Sequence, residues 1–143
     1  SLFARWPDHR FLLTLPRNPD LKERLALISN VTLLPDGVRP LDVMPYCRRH
    51  LGKPGFSSFC EAMAADLGLH VVERQGFAEA SVLMEGLRQH ASHRILRREE
   101  LESGRWALDQ PLQPPTHGRL SATGAIEAAK AVKRVAIDTV QQV

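Results

Sequence analysis

Cysteine is scarce in this chain. Two cysteines in 143 residues do not build a disulfide framework, and they suit a reducing compartment. Long apolar runs are missing as well. No stretch approaches the roughly 20 residues that a bilayer-spanning helix needs, and the opening residues do not read as a charged-then-apolar leader. The expectation is a cytoplasmic protein that makes no membrane contact. Aromatic residues are few: five Phe, two Trp and one Tyr. That argues against a platform on which the bases of a single strand would stack. Signature motifs are absent too. There is no Gly-x-Ser-x-Gly nucleophile turn, no glycine-rich loop closing on Gly-Lys-Ser/Thr, no internal repeat and no low-complexity tract. The sequence therefore names no reaction. No residue is assigned a catalytic role, no cofactor is expected, and a binding role is favoured over an enzymatic one.

The apolar and charged fractions are ordinary for a globular protein, and the length suits one domain. The chain begins with Ser1 and closes in a helical pattern, so residues 1–143 are expected to be a single domain excised from a longer protein. The fold class expected is α+β, with four to five helices packed on a small sheet of three to four short strands.

Punctuation divides the chain. Arg10–Leu15 is a short apolar run stopped by Pro16, the pattern of a strand. Asn18-Pro19-Asp20 opens a helix, with Asn18 or Asp20 as cap and Pro19 in the first turn. Leu21, Leu25 and Ile28 mark its apolar face. Val31–Leu34 is a second strand, ended by Pro35-Asp36-Gly37. Two strands around one helix admit either a parallel crossover or a helix laid on an antiparallel pair.

The stretch Leu41–Gly76 organises the rest. Helical spacing predicts a helix over Leu41–Leu51, starting at or near Pro45, and a second over Phe56–Leu67 after the Gly52-Lys53-Pro54-Gly55 break. Phe56, Phe59, Cys60, Met63 and Leu67 form its apolar stripe. A strand over His70–Arg74 follows. Ala64-x-x-x-Gly68 invites a helix-turn-helix reading, but Arg74 falls where an apolar residue should be buried, so helix–glycine–strand is preferred. Phe77–Ile95 is the best helical pattern, with Ala80, Leu83, Met84, Leu87, Ala91 and Ile95 in one stripe. Arg105–Leu108 suggests a short strand anchored by Trp106. Residues 109–120 form a Pro-rich internal loop. Residues 121–143 form a C-terminal amphipathic helix whose stripe of small apolar residues covers either the core or a second copy of the chain.

Charge placement is more informative than the net value of +3. Cys47–Cys60 holds Arg48, Arg49 and Lys53 and no acid, a local excess equal to that of the whole chain. Arg94, Arg97 and Arg98 make a second cluster, partly answered by Glu99 and Glu100. Together these six basic residues are expected to track the phosphates of DNA or RNA. Such contacts give affinity and orientation, not base choice. The leading expectation is thus a non-catalytic, nucleic-acid-binding accessory domain of a larger nucleic-acid-processing protein. The alternative is a protein–protein docking or oligomerisation domain, using the C-terminal helix and the apolar face of Phe77–Ile95.

Three other constellations carry chemistry. Cys47-x-x-His50 and His90-x-x-His93 place metal-ligand types at i, i+3 spacing, and two such pairs on facing helices would complete a tetrahedral zinc site. Cys47 and Cys60 suit the core equally well as small apolar groups, so no metal is assigned, and a metal-dependent enzyme built on Cys47, His50, His90 and His93 is kept only as a third alternative. Basic neighbours would lower the Cys47 thiol pKa and allow a thiol-dependent enzyme. Finally, Arg119, Ser121 and Thr123 precede or open the last helix, where free backbone amides attract anions.

Overall fold

The structure is a computed structural model that describes residues 1–72, 76–120 and 123–140. The class is α+β: the described residues form six α-helices and two small sheets of two and three strands.

The first sheet pairs β1 (Phe11–Leu13) with β2 (Val31–Leu33) in parallel, with Phe11 opposite Val31. The crossover is α1 (Pro19–Ala26). Its start is set as the sequence indicates: the Asn18 side chain accepts from the Leu21 amide at 3.1 Å, and Pro19 occupies the first turn. Of the two arrangements left open for this segment, the parallel crossover is the one adopted.

The second sheet is a β-α-β-α-β unit. β3 (Arg49–Gly52), β4 (Gly68–Val72) and β5 (His93–Leu96) run parallel in that spatial order. They are joined by α3 (Phe56–Ala64) and α4 (Ala80–His90). Two expected helices are corrected here. Leu41–Leu51 is not one helix. A single turn, α2 (Pro40–Val43), passes into a 3-10 turn at Met44–Tyr46, and the chain is extended from Cys47. Pro45 removes a backbone donor inside the run, and Arg49–Gly52 finds ladder partners on β4 instead. Phe77–Ile95 likewise ends as a helix at His90, because His93–Leu96 pairs with β4. The helix–glycine–strand alternative to a helix-turn-helix is the one observed. Asp66, at φ +59°, takes the left-handed position after α3, and the Leu67 amide returns to the Ala62 carbonyl at 2.9 Å.

The two faces of this sheet have different partners. Leu69 and Val71 of β4 point toward α3 and α4 and pack with Phe59, Ala62, Met84 and Leu87 in the main core. The α3 stripe is rotated from expectation: Phe59 and Ala62 are buried, whereas Phe56 and Cys60 are exposed. The opposite face carries Leu51, Val72 and Leu96 under an aromatic group. Trp106 is buried there, edge-on to Phe3 (5.4 Å) and Phe11 (5.7 Å), and Trp6 stacks on it at 6.5 Å. Both indole N–H groups are satisfied, Trp6 by the Gly104 carbonyl and Trp106 by the Leu101 carbonyl. Buried Asn30 donates to the carbonyls of Phe3 and Trp6, which fixes the N-terminal segment over this face. Trp106 is thus an anchor, but Arg105–Leu108 is not a strand.

After α5 (Arg98–Glu102) the chain returns along β5. His93 and Gln113 exchange both backbone hydrogen bonds at 2.9 Å, which adds an antiparallel bridge to that edge. α6 (Gly124–Val140) closes the described chain. Its residues from Gly124 to Ile137 are all exposed. It therefore does not cover the core. No helix among the described residues is long and apolar enough to cross a membrane.

Candidate functional site

Register decides which basic side chains meet. In the parallel ladder Arg49 lies opposite Gly68, Leu51 opposite His70, and His70 opposite Arg94. Side chains alternate along a strand, so Arg49, His70 and Arg94 share one face, the face away from α3 and α4. β3 and β5 are two ladder spacings apart, about 9.5 Å, with His70 on the strand between them.

His70 is fully buried. Its Nδ1 sits 3.0 Å from the Trp106 carbonyl, and its Nε2 has no partner. Its pKa is lowered from 6.5 to about 4, chiefly by burial and then by Arg49, with a smaller push from Arg94 against the favourable Trp106 carbonyl. The ring is therefore neutral near pH 7. Since the carbonyl can only accept, Nδ1 carries the proton and Nε2 presents a lone pair. Arg94 has a matching irregularity. Its Nη2 donates to the Pro111 carbonyl at 2.9 Å, but its buried Nε has no acceptor. Arg49 forms no side-chain hydrogen bond or ion pair among the described residues. It lies across Gly68, where an added Cβ would stand 2.6 Å from Arg49 Nη1 and collide with Leu112. Gly68 thus makes room for the guanidinium on the sheet and for the strap at 111–113 above it. A cavity of 170 Å³ opens beside the strap, lined by His93, Arg94, Ile95 and Gln113.

The other expected basic residues divide into two groups. Arg48 and Lys53 are exposed and have no acidic partner among the described residues. Arg97, which caps α5, and Arg98, its first residue, are largely neutralised. Arg97 pairs with Glu100 at 3.6 Å and with Glu99 at 4.0 Å, and Arg98 pairs with Glu102 at 3.2 Å. The second cluster is thus answered by Glu99 and Glu100, as its sequence indicates, and by Glu102 as well, and Arg94 alone of the three faces the sheet.

The zinc-ligand pairs do not converge. His50 and His93 lie on the α3–α4 side of the sheet, separated by Leu69. His93 Nδ1 is 2.9 Å from the Ala91 carbonyl, and His90 Nδ1 is 3.0 Å from the Gly118 carbonyl. Among the described residues no three His, Cys, Asp or Glu side chains come together as a metal site would require. The thiol expectation is reversed. Cys47 donates to the Val43 carbonyl at 3.4 Å, and burial raises its pKa instead of the nearby basic residues lowering it. Burial also lowers the pKa of His50. At the start of α6, Arg119 pairs with Asp66 and the Thr123 hydroxyl donates to Glu127, so both donors face carboxylates. Ser121 lies outside the described residues, as does Arg74.

Sequence reasoning found Arg49 and Arg94 by charge but missed His70. The available signal was a lone titratable residue inside the apolar run Leu69-His70-Val71-Val72. Comparison with models of protein families, with curated proteins and with solved structures finds no match to this chain.

Proposed function

We propose that this domain binds nucleic acid through its phosphate backbone, as a non-catalytic part of a larger protein. The observation that supports this reading is a set of four basic side chains, Arg48, Arg49, Lys53 and Arg94, that pair with no carboxylate among the described residues. Arg49 stands on β3 with Arg48 just before and Lys53 just after that strand, and Arg94 stands on a strand about 9.5 Å away. Uncompensated cations on the two outer strands of one small sheet and beside them suit a line of phosphates better than a single acidic side chain. Arg97 and Arg98, held by their own glutamates, are assigned a minor share.

Four phosphate contacts predict a salt dependence with a logarithmic slope of about −3 to −4 on duplex DNA. Binding of duplex and single strands across a salt series tests this. A folded Arg48/Arg49/Lys53→Ala triple variant should bind more weakly, with a slope shallower by roughly 3. Folded wild-type protein that binds no nucleic acid at low salt refutes the proposal.

A second reading rests on a different observation. Ile126, Val132, Val135 and Ile137 of α6 are all exposed, which supports docking through that helix. The face of α4 once assigned to the same role is unavailable, since Met84 and Leu87 are consumed by the core.

A further inference from the structure

The region around His70 holds more than a solvated basic patch requires. A neutral, fully buried imidazole presents an unpaired lone pair at Nε2. One guanidinium flanks it from each neighbouring strand, and neither has a carboxylate partner. Among the described residues the charged groups acting on His70 are Arg49 from β3 and Arg94 from β5; the Trp106 segment contributes only its carbonyl. A desolvated donor and acceptor without partners are costly in an interior. Cations held beside them are stabilised by an anion, and a guanidinium matches a phosphate with two parallel donors.

The tautomer narrows the ligand. With Nδ1–H given to the Trp106 carbonyl, Nε2 repels a bare oxyanion. It accepts an anion only if a proton sits between them. A phosphodiester carries no proton near neutral pH. A phosphate monoester can take one up, because its second ionisation falls near pH 6, only about one unit below neutral. We propose that Arg49, His70 and Arg94 form a binding site for a phosphate monoester, with His70 Nε2 hydrogen-bonded through a proton to one phosphate oxygen. This deepens the phosphate-contact reading above and rests on it. The diester backbone is followed by Arg48, Lys53 and the guanidinium edges, and a terminal phosphate enters at the sheet. A cavity of 170 Å³, lined by His93, Arg94, Ile95 and Gln113, lies beside Arg94. Arg94 is the residue shared by the cavity and the His70 cluster.

The proton is counted the same way whichever partner nominally owns it. Above the ligand's second ionisation, dianion plus neutral His70 becomes a complex with one proton more. Binding therefore takes up one proton, and affinity falls about tenfold per pH unit between about pH 7.5 and 8.5. Calorimetry in two buffers of different ionisation enthalpy measures the uptake directly on the wild-type protein. The ligands are inorganic phosphate, a nucleoside monophosphate, sulfate, and one oligonucleotide with and without a 5′-phosphate.

Uptake of one proton with inorganic phosphate or the monophosphate, and no uptake with sulfate, supports the site. Tighter binding of the 5′-phosphorylated strand by about tenfold identifies a strand end as its source. Phosphate binding with no such gain identifies a free monoester. Arg49→Gln and Arg94→Gln should each weaken phosphate by about tenfold or more, and they keep the test valid should His70→Gln fail to fold. The site is overturned if phosphate and the monophosphate do not bind, if they bind without proton uptake, or if both arginine variants bind as the wild type does. Unphosphorylated strands that still bind in that case leave the backbone reading standing. Monoester binding without any strand binding removes the nucleic-acid reading and keeps the site.

Discussion

Lowering the pH should destabilise this fold well before its carboxylates protonate, and His70 is the reason. Its pKa is about 4 in the folded chain against an ordinary 6.5. In the unfolded chain the imidazole takes up a proton as pH falls through 6.5, while the folded ring stays neutral until about 4. The unfolded state binds more protons across that window, so stability rises with pH there. It is complete above about 6.5 and lost progressively toward 4. At about 1.4 kcal/mol per pH unit the interval corresponds to roughly 3 kcal/mol, a large part of a typical domain's margin. His50, whose pKa burial also lowers, adds in the same sense. Asp42 and Glu100, lowered by Arg39 and Arg97 respectively, act only below their ordinary values of 3.8 and 4.5. Urea unfolding at several pH values between 7.5 and 4.5, in wild type and His70→Gln, isolates the imidazole. The wild type should lose stability more steeply, by about 1.4 kcal/mol per pH unit at most. Equal slopes for the two proteins would show that His70 is not held neutral by its surroundings, and would remove the tautomer argument.

Two further substitutions examine the packing that creates this site. Trp106→Ala removes the centre of the aromatic group over the sheet and should cost about 3–5 kcal/mol in urea unfolding; a loss under about 1 kcal/mol would show that the N-terminal aromatics hold the face without it. Gly68→Ala pushes a methyl into Arg49 and Leu112, whose flexible ends must move. It should cost about 1–3 kcal/mol and weaken phosphate binding with it, while unchanged phosphate affinity would show that the position of Arg49 on the sheet is immaterial.

Much of the chain's punctuation was legible. Asn18-Pro19 and Pro35-Asp36-Gly37 bound α1 and β2 where local chemistry indicated, since capping and turn dihedrals are local properties. The errors fall where a segment satisfied two periods at once. Leu41, Met44 and Leu51 fit helical spacing, yet Arg49–Gly52 pairs with β4. Ile95 continues the α4 stripe, yet it stands on β5 opposite Val71. Only ladder partners distant in sequence separate these alternatives. The same holds for the site. Charge identified Arg49 and Arg94 individually, but their meeting on one face depends on register. The glutamates that neutralise Arg97 and Arg98 were already visible three and four residues on, and local pairing at that spacing was the better guide to their state.

The order of the strands explains why the site lies on a face and not at an edge. In open parallel sheets ligands usually bind beyond the carboxyl ends of the strands, where the strand order reverses. Here β3, β4 and β5 follow in sequence with no reversal, and both crossover helices pack on one side. Among the described residues no crossover helix packs on the other side, where only Leu101 of the short α5 joins the cluster. Aromatic residues from both chain halves cover its Leu51–Val72–Leu96 portion. The portion with Arg49, Gly68 and Arg94 is left to a short strap at 111–113 held by one bridge and one guanidinium hydrogen bond. Replacing those two arginines by apolar residues would remove unpaired charge from a sheet face, a change that often stabilises a fold. Their presence, together with a glycine that keeps the space open, therefore argues for a ligand and not for stability. The substitution Arg49→Leu makes the distinction measurable. A variant with stability equal to or above wild type and weakened phosphate binding fits a binding role, whereas a loss of more than about 2 kcal/mol would mean that the guanidinium holds the fold.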